Sequence, residues 1–473
     1  MPERLSAREA VAALAEPGTF AELPAPDGVT AGAADEAPDG PLGWPGYDAV
    51  RARARARTGE EESVVCGTAR VGTTRAVLIS FEFGFLGGSL GERTGDRLVA
   101  AHRHARAQGL PVVSLIATGG SRMQEGMRAL LQLQRVAGES ALTRARGLPQ
   151  LAVVRDPTTG GGWATLGAGA DVVLALPDAQ IGFAGSRVRP ADADPYAYTA
   201  RAQFAAGQVD ALVDPDELGT TVGRWLTLLT AGGGGDRAAS YATPLSGPAG
   251  EPLPLPPPAG LGLGGTPATG WQAVLRARSP DRPRAPAYLD AYLEQRAEIT
   301  GDRCGGRDPG MLCGFGLRGG RPVAYAAQAG TATLPAGYRT AARLVRLADR
   351  LGIPVLTLVD TPGAANDAEA ERSGAGAAIA DLFQAVATAR VPLTTLVIGE
   401  GGSGGALALS APGNTWVTAD SYFSVIAPEP ATAILKRPVE ETREVAGRLR
   451  LRPQDLVDLG VVRGIVPTAG ARS

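Results

Sequence analysis

Four short apolar runs mark the chain: LPVVSLI (110–116), LPQLAVV (148–154), IPVLTLV (353–359) and VPLTTLVI (391–398). Near-continuous Val, Leu and Ile bounded by Pro and Gly is the pattern of a parallel strand covered on both faces. Each run leads into a glycine cluster: ATGGSRMQEG, DPTTGGGWAT, DTPGA and GEGGSGGALAL. Helix-like stretches follow, so the pattern predicts four strand–glycine turn–helix units. Spacing relates them in pairs. Pro111 to Pro149 and Pro354 to Pro392 are equal steps (149 − 111 = 38, 392 − 354 = 38), and so are Gly120 to Gly162 and Gly363 to Gly405 (162 − 120 = 42, 405 − 363 = 42). One shift of 243 superposes all of these landmarks, which predicts a tandem duplication of one α/β fold.

The remaining patterns fill in the two copies. Residues 4–23 predict a helix capped by Ser6 and stopped near Pro17–Gly18, and 24–60 an irregular stretch with a short helix over 51–57. SVVCGTARV and RAVLISFEF alternate as a hairpin about Gly72–Thr73; a glycine-rich turn, FLGGSLG, then enters an amphipathic helix. DVVLAL and IGFAG are strand-like, and helix is expected up to about residue 232. Residues 241–270 are a linker by Pro and Gly content, separating domains at 1–240 and 271–473. Beyond it come a helix over 287–299, a hairpin within 301–328 and an amphipathic helix over 336–352. The YFSVI strand, two helical stretches (431–437, 438–450) and the segment 456–467 close the chain.

Composition removes several chemistries. With 473 residues and a net charge of −2, the chain is long enough for two domains and has no basic field for nucleic acid. No apolar run reaches membrane-spanning length and no leader is visible, so a cytoplasmic protein is expected. The three cysteines, Cys66, Cys304 and Cys313, have neither CxxC spacing nor a neighbouring His, so no metal is expected. The two histidines, His102 and His104, fall on what looks like a surface helix, and Lys436 is the only lysine. A Ser-His-Asp triad or a lysine Schiff base therefore lacks its parts.

Backbone amides are what remains. Amides exposed where a strand turns into a helix can hold an oxyanion without any side chain. No cluster fits GxGxxG or GxxxxGK[ST], which removes the dinucleotide and P-loop readings. Donors from the Gly119–Gly120–Ser121 turn and from Gly160–Gly162 suit a thioester carbonyl becoming an enolate. In RARSPDRPR, Arg276, Arg278, Arg282 and Arg284 are equally consistent with a phosphate grip and with solvated charge. Glu125, Asp360 and Glu400 are candidate acids or bases, with Glu125 preferred as a carboxylate facing a helix start.

On these residues the chain resembles a known family. LSAREAVAAL, FLGGSLG, GGSRMQEGMRALLQLQ, DPTTGGGWAT and IGFAGSRV resemble the β subunit of bacterial acetyl-CoA carboxylase carboxyltransferase. RPRAPAYLDAYLEQRAEITGDR, GRPVAYA, GYRTAARLVRLADRLGIPVLTLVDTPGA, GEGGSGGALAL and YFSVIAPEPATAIL resemble its α subunit. The resemblance implies two tandem crotonase-like (ββα spiral) domains, β then α. It implies transfer of CO2 from carboxybiotin on a carrier protein to an acyl-CoA, giving malonyl-CoA from acetyl-CoA. Gly119, Gly120, Gly160, Gly161 and Gly162 would hold the enolate; Gly404, Gly405 and Ala406 would hold the biotin ureido oxygen. Gly87, Gly88, Ser121, Arg122, Phe183, Ala184, Gly185, Gly363, Arg278 and Arg284 would bind substrate. Biotin carboxyl carrier protein and biotin carboxylase would be partners, with an active site between domains in a homo-oligomer of at least two chains. The family's four-cysteine zinc ribbon has no ligands here. TATLP stands where the α subunit carries a long basic insert, and AND (365–367) where it continues Tyr-Pro-Gly. Two alternatives stay open: biotin-independent decarboxylation of a β-keto or malonyl-type acid, as in polyketide tailoring, and a non-catalytic scaffold that binds a partner.

Overall fold

A computed structural model describes residues 4–26, 38–230 and 253–469. It divides into two units, 1–237 and 238–473. In the first, a helix α1 (Ala7–Ala12) starts from the expected Ser6 cap, with Glu9 closing the reciprocal capping box. An edge strand β1 (Ala21–Glu22), helix α2 (Tyr47–Thr58) and hairpin β2 (Val64–Val71)/β3 (Thr74–Phe81) follow. Next come α3 (Glu92–Gln108), β4 (Val112–Thr118), α4 (Gly126–Ala145), β5 (Gln150–Thr159) and the single turn α5 (Gly160–Gly162). Strands β6 (Val172–Ala175) and β7 (Ile181–Gly182), helix α6 (Ala200–Ala205), β8 (Ala211–Leu212) and helix α7 (Leu218–Thr230) complete the described unit.

The second unit begins with α8 (Gly270–Ala277), α9 (Ala285–Tyr292) and the edge strand β9 (Gln295–Ile299). The hairpin β10 (Met311–Arg318)/β11 (Arg321–Gln328), α10 (Pro335–Leu351) and β12 (Val355–Thr361) come next. Helices α11 (Ala368–Arg372) and α12 (Ala375–Thr388) lead to β13 (Leu393–Gly402) and the short helix α13 (Ser403–Leu407). Strands β14 (Thr415–Val417) and β15 (Tyr422–Ser424) and helices α14 (Pro428–Ile434), α15 (Thr442–Arg448) and α16 (Pro453–Asp458) follow.

The duplication extends to individual elements. Helix α3 maps on α10 (335 − 92 = 243), β4 on β12 (355 − 112 = 243), β5 on β13 (393 − 150 = 243) and α5 on α13 (403 − 160 = 243). The hairpins instead differ by 247 (311 − 64 and 321 − 74), because the link from β11 to α10 is four residues shorter than that from β3 to α3. Both sheets have the same plan among the described residues: an antiparallel edge strand and hairpin, then parallel strands in the order β3-β4-β5-β6-β8 and β11-β12-β13-β14, with β7 and β15 branching from β5 and β13. Covered on both faces, β4 and β12 are buried at every position; Val112 and Ile116 of β4 and Leu356 and Leu358 of β12 join the hydrophobic cores of their units.

Three expectations are corrected. The helix expected over 287–299 ends at Tyr292, since charged Arg296 and Glu298 alternate with Gln295, Ala297 and Ile299 in QRAEI, which pairs with β10. Of the expected linker, 241–252 lie outside the described residues, but 253–270 are fastened to the second unit. Leu255 O accepts from Thr394 Oγ1 at 2.8 Å, Pro256 O accepts from Tyr292 Oη at 2.7 Å, and Gly260 exchanges backbone hydrogen bonds with the final segment. Last, His102 is fully buried on the inner face of α3 beside Leu98, Ala101 and Ala105, with its Nδ1 3.2 Å from Thr143 Oγ1. Burial lowers its pKa to about 4.

Candidate active site

The turn after β4 and the turn after β12 are built alike. Each strand slips register against its neighbour one residue before its end, between Ile116 and Thr118 and between Val359 and Thr361. The last threonine then folds its hydroxyl back: Gly120 N donates to Thr118 Oγ1 and Gly363 N to Thr361 Oγ1, both at 3.1 Å. The loop entering the preceding helix pins the turn. Leu90 N donates to Gly120 O (2.9 Å) and Leu90 O accepts from Arg122 N (2.9 Å); in the second unit Thr333 N donates to Gly363 O (3.1 Å) and Thr333 O accepts from Ala365 N (2.9 Å).

This bookkeeping decides which amides are available. Gly119 N donates to Gly87 O at 2.9 Å, and its repeat partner is Pro362, which has no N–H. Gly120 and Gly363 are already paired. Ser121 N and Ala364 N, at equivalent half-exposed positions, find no acceptor among the described residues. The expected Gly119–Gly120 donors thus narrow to the single amide of Ser121. Gly87 and Gly88 act from behind, Gly87 as the acceptor for Gly119 and Gly88 donating to Phe85 O at 3.0 Å.

The glycines after β5 and β13 supply the other face. Gly160 N donates to Phe183 O at 3.1 Å, whereas Gly161, Gly162, Gly404 and Gly405 N have no acceptor among the described residues. Gly160 has φ +66°, and a Cβ there would lie 3.0 Å from Gly120 Cα, so the two turns touch. Its partner Ser403 keeps the same left-handed backbone at φ +58° although it carries a side chain. A Cβ on Gly405 would lie 2.6 Å from Ala364 N, so nothing larger than glycine fits beside that amide. Ala406 is buried behind it. Phe183 and Val425, equivalent residues after β7 and β15, are both largely exposed beside their turns. Ala184 O accepts from Arg189 Nε at 3.2 Å, and Gly185 completes that loop.

The charged candidates have other work. Arg122, expected to bind substrate, is instead found buried: it pairs with Glu62 and donates through Nη1 to Glu125 Oε1 at 3.1 Å and through Nη2 to Ser89 O at 2.9 Å. Glu125 Oε1 accepts from Tyr47 Oη at 2.5 Å, while its Oε2 accepts from Glu92 N at 2.6 Å, so this carboxylate caps α3 and not its own helix α4. Burial alone would push the Glu62 carboxyl up, but the Arg122 guanidinium outweighs it and holds the pKa at about 2. Asp360, also buried, accepts from Arg282 Nη2 at 2.5 Å and Arg284 Nη1 at 3.1 Å. Arg278 bridges Glu400 (2.8 Å) and Glu429 (2.6 Å), and Glu400 also accepts from Tyr422 Oη at 2.7 Å. Arg276 Nη1 donates to Gly265 O at 2.6 Å. Arg278 and Arg284, expected to grip a phosphate, are thus each held in ion pairs while remaining partly exposed, and Asp360 and Glu400 are the carboxylates that hold them. Tyr47 and Glu62 escaped the sequence because each lies 60 or more residues from its partner.

What each unit offers is a set of backbone donors, and among the described residues no cluster of His, Cys, Asp and Glu could hold a metal ion. Such a seat accepts one oxygen that gains negative charge. A cyclic urea oxygen fits the second turn, where Gly404 is exposed and a Cβ on Gly405 would fill the seat.

Two family descriptions match the chain: "Carboxyl transferase domain" over residues 45–211 and "Acetyl co-enzyme A carboxylase carboxyltransferase-like" over 266–473. The chain is 38% identical to acetyl-coenzyme A carboxylase carboxyl transferase subunits beta/alpha of Salinispora arenicola, with 98% of this chain and 82% of the relative covered. It is 33% identical to a probable biotin-dependent acyl-coenzyme A carboxylase beta3 subunit of Mycobacterium tuberculosis, covering 89% and 83%. Among solved structures, the transcarboxylase 12S hexamer core with methylmalonyl-coenzyme A bound shares the fold, with a TM-score of 0.76 at 20% identity over 98% of this chain and 87% of that one.

Proposed function

Because the chain belongs to the family of acetyl-CoA carboxylase carboxyltransferase β/α subunits, we propose that it transfers a carboxyl group from carboxybiotin on a carrier protein to the α-carbon of an acyl-CoA, making malonyl-CoA from acetyl-CoA. The observation that carries this reading is the repeated seat of unpaired amides: Ser121 with Gly161 and Gly162, and Ala364 with Gly404 and Gly405. Two seats match two oxygens that gain charge in one reaction. In the first, the amides receive the thioester oxygen as the α-proton leaves and the carbonyl becomes an enolate. In the second, the amides of Ala364, Gly404 and Gly405 receive the ureido oxygen. Each such donor contributes about 10²–10³ in rate. Biotin supplies the carboxyl group and, once that has left, a basic ring nitrogen. The chain itself then needs no general base, in keeping with a seat bare of His, Lys and unpaired carboxylates. Phe183 and Val425 are apolar walls beside the two seats. A homo-oligomer of at least two chains is part of the proposal, supported by the hexameric transcarboxylase of the same fold.

Purified protein incubated with malonyl-CoA and free biotin tests the reading. Biotin-dependent loss of malonyl-CoA with formation of acetyl-CoA is expected. Release of CO2 at the same rate without biotin would replace the transferase by a decarboxylase, and inertness under both conditions would leave a binding scaffold. Sedimentation should show a dimer or larger species; an active monomer overturns that part.

A further inference from the structure

Beneath the second turn lie three polar side chains with no counterpart beneath the first. Gln328 ends β11, Thr333 lies in the loop before α10, and Tyr338 is in the first turn of α10; all three are fully buried. The repeat places Phe81 (328 − 247), Leu90 (333 − 243) and Gly95 (338 − 243) at these positions in the first unit. The first unit is apolar at two of these positions, and at the third the space beside Gly95 is taken by the buried Gln132, which bonds to Arg128 O and Arg135 and not to the turn.

The polar floor touches the donors' own backbone. Gln328 Nε2 donates to Thr333 Oγ1 at 3.1 Å and to Gly405 O at 3.3 Å. Gly405 Cα sits over Tyr338, since a Cβ there would lie 2.5 Å from Tyr338 Oη as well as 2.6 Å from Ala364 N. Tyr338 Oη lies beside Thr333 but makes no hydrogen bond of proper geometry, and Gln328 Oε1 has no partner either. Burial pushes the Tyr338 phenol up to about 12, so it stays neutral and protonated. Unpaired buried polar atoms destabilise a fold. Phe81 and Leu90 show that this scaffold does without them, so stability is not the reason for the polar floor.

Resting on the reading of the second turn given above, we propose that Tyr338 and Gln328 are positioning residues of that seat. Gln328 fixes the Gly405 carbonyl and the Tyr338 hydroxyl supports Gly405 Cα, so the amides of Ala364, Gly404 and Gly405 keep the spacing that accepts a ureido oxygen. The first seat has no equivalent support, so only the biotin side of the reaction depends on it.

The test uses the full chain, free biotin and malonyl-CoA, with the variants Tyr338→Phe and Gln328→Leu. For both variants kcat/KM for biotin falls about tenfold, while KM for malonyl-CoA stays within about twofold of wild type. The Tm of Tyr338→Phe stays level or rises, because the variant loses an unpaired hydroxyl and keeps its ring, and the rise in Tm that biotin gives the wild type shrinks. Unchanged biotin kinetics in an active, equally stable Tyr338→Phe would overturn the inference, as would equal losses for both substrates with a lowered Tm. A wild type inactive with both substrates would remove the reading of the seat itself, and this inference with it.

Discussion

In the first unit one cation, Arg122, lies between the carboxylates of Glu62 and Glu125; in the second one anion, Asp360, lies between the guanidiniums of Arg282 and Arg284. The two triads carry opposite net charge and fasten opposite ends of their turns, Arg122 just after the first and Asp360 just before the second. The turns themselves share the hydrogen bonds of Thr118 and Thr361 and of Leu90 and Thr333, and differ at Gly119, whose counterpart Pro362 has no N–H. The backbone geometry is therefore the fixed quantity, and the sign of the charge that ties it to its surroundings is free. The first triad is buried throughout, whereas in the second Asp360 and Arg282 are buried and Arg284 is partly exposed.

That comparison is open to breakage, beginning with the fastenings. Arg122→Met leaves two buried carboxylates without their guanidinium and should cost about 3–5 kcal/mol in denaturant unfolding. Arg284→Met, which leaves Arg282 on Asp360, should cost less than half of that; equal costs would mean that the triads are not comparable. Next come the seats. Gly405→Ala places a Cβ 2.6 Å from the Ala364 amide and 2.5 Å from Tyr338 Oη, so carboxyl transfer should fall about 10²–10³-fold with the fold intact. Gly161→Ala meets only the end of the flexible Leu133 side chain and should lose much less in the same assay.

Acid tests the first triad as well. Glu62 has a folded pKa depressed from 4.5 to about 2, so its contribution is present above the unfolded value and is lost as pH falls from about 4.5 towards 2. The loss should be on the order of 3 kcal/mol, and the pH dependence of Tm over that range should flatten in Glu62→Gln. The smallest effect is at Ser403, whose left-handed backbone is the position of Gly160 in the first unit. Ser403→Gly should stabilise by about 1 kcal/mol in thermal unfolding; a loss of stability would show that the serine hydroxyl has a partner of its own.

The four apolar runs, the hairpins and the 243-residue shift were legible because buried parallel strands and tight turns leave local patterns. The triads were not. GGSRMQEG gives no sign that Arg122 is buried, because Glu62 and Tyr47 reach it through the fold and not through sequence spacing. The Pro-rich stretch from 253 looked like a spacer because its ties are mostly backbone groups of Pro256 and Gly260, invisible to any hydrophobic pattern. His102 was misplaced for a different reason: arginines flank it and mask its place on the inner stripe of α3. Among the donors, spacing singled out the turns but not which of their amides stay unpaired, since a glycine cluster does not tell which N–H already has an acceptor.

A donor that belongs to the main chain has no codon of its own. Any residue but proline at position 121 or 364 still presents the same N–H, so a catalogue of substitutions that asks which side chains matter would pass over the donors proposed to hold the two oxygens. Replacing single amides by esters during chemical synthesis or semisynthesis, which deletes a hydrogen and nothing else, is the way to ask them directly.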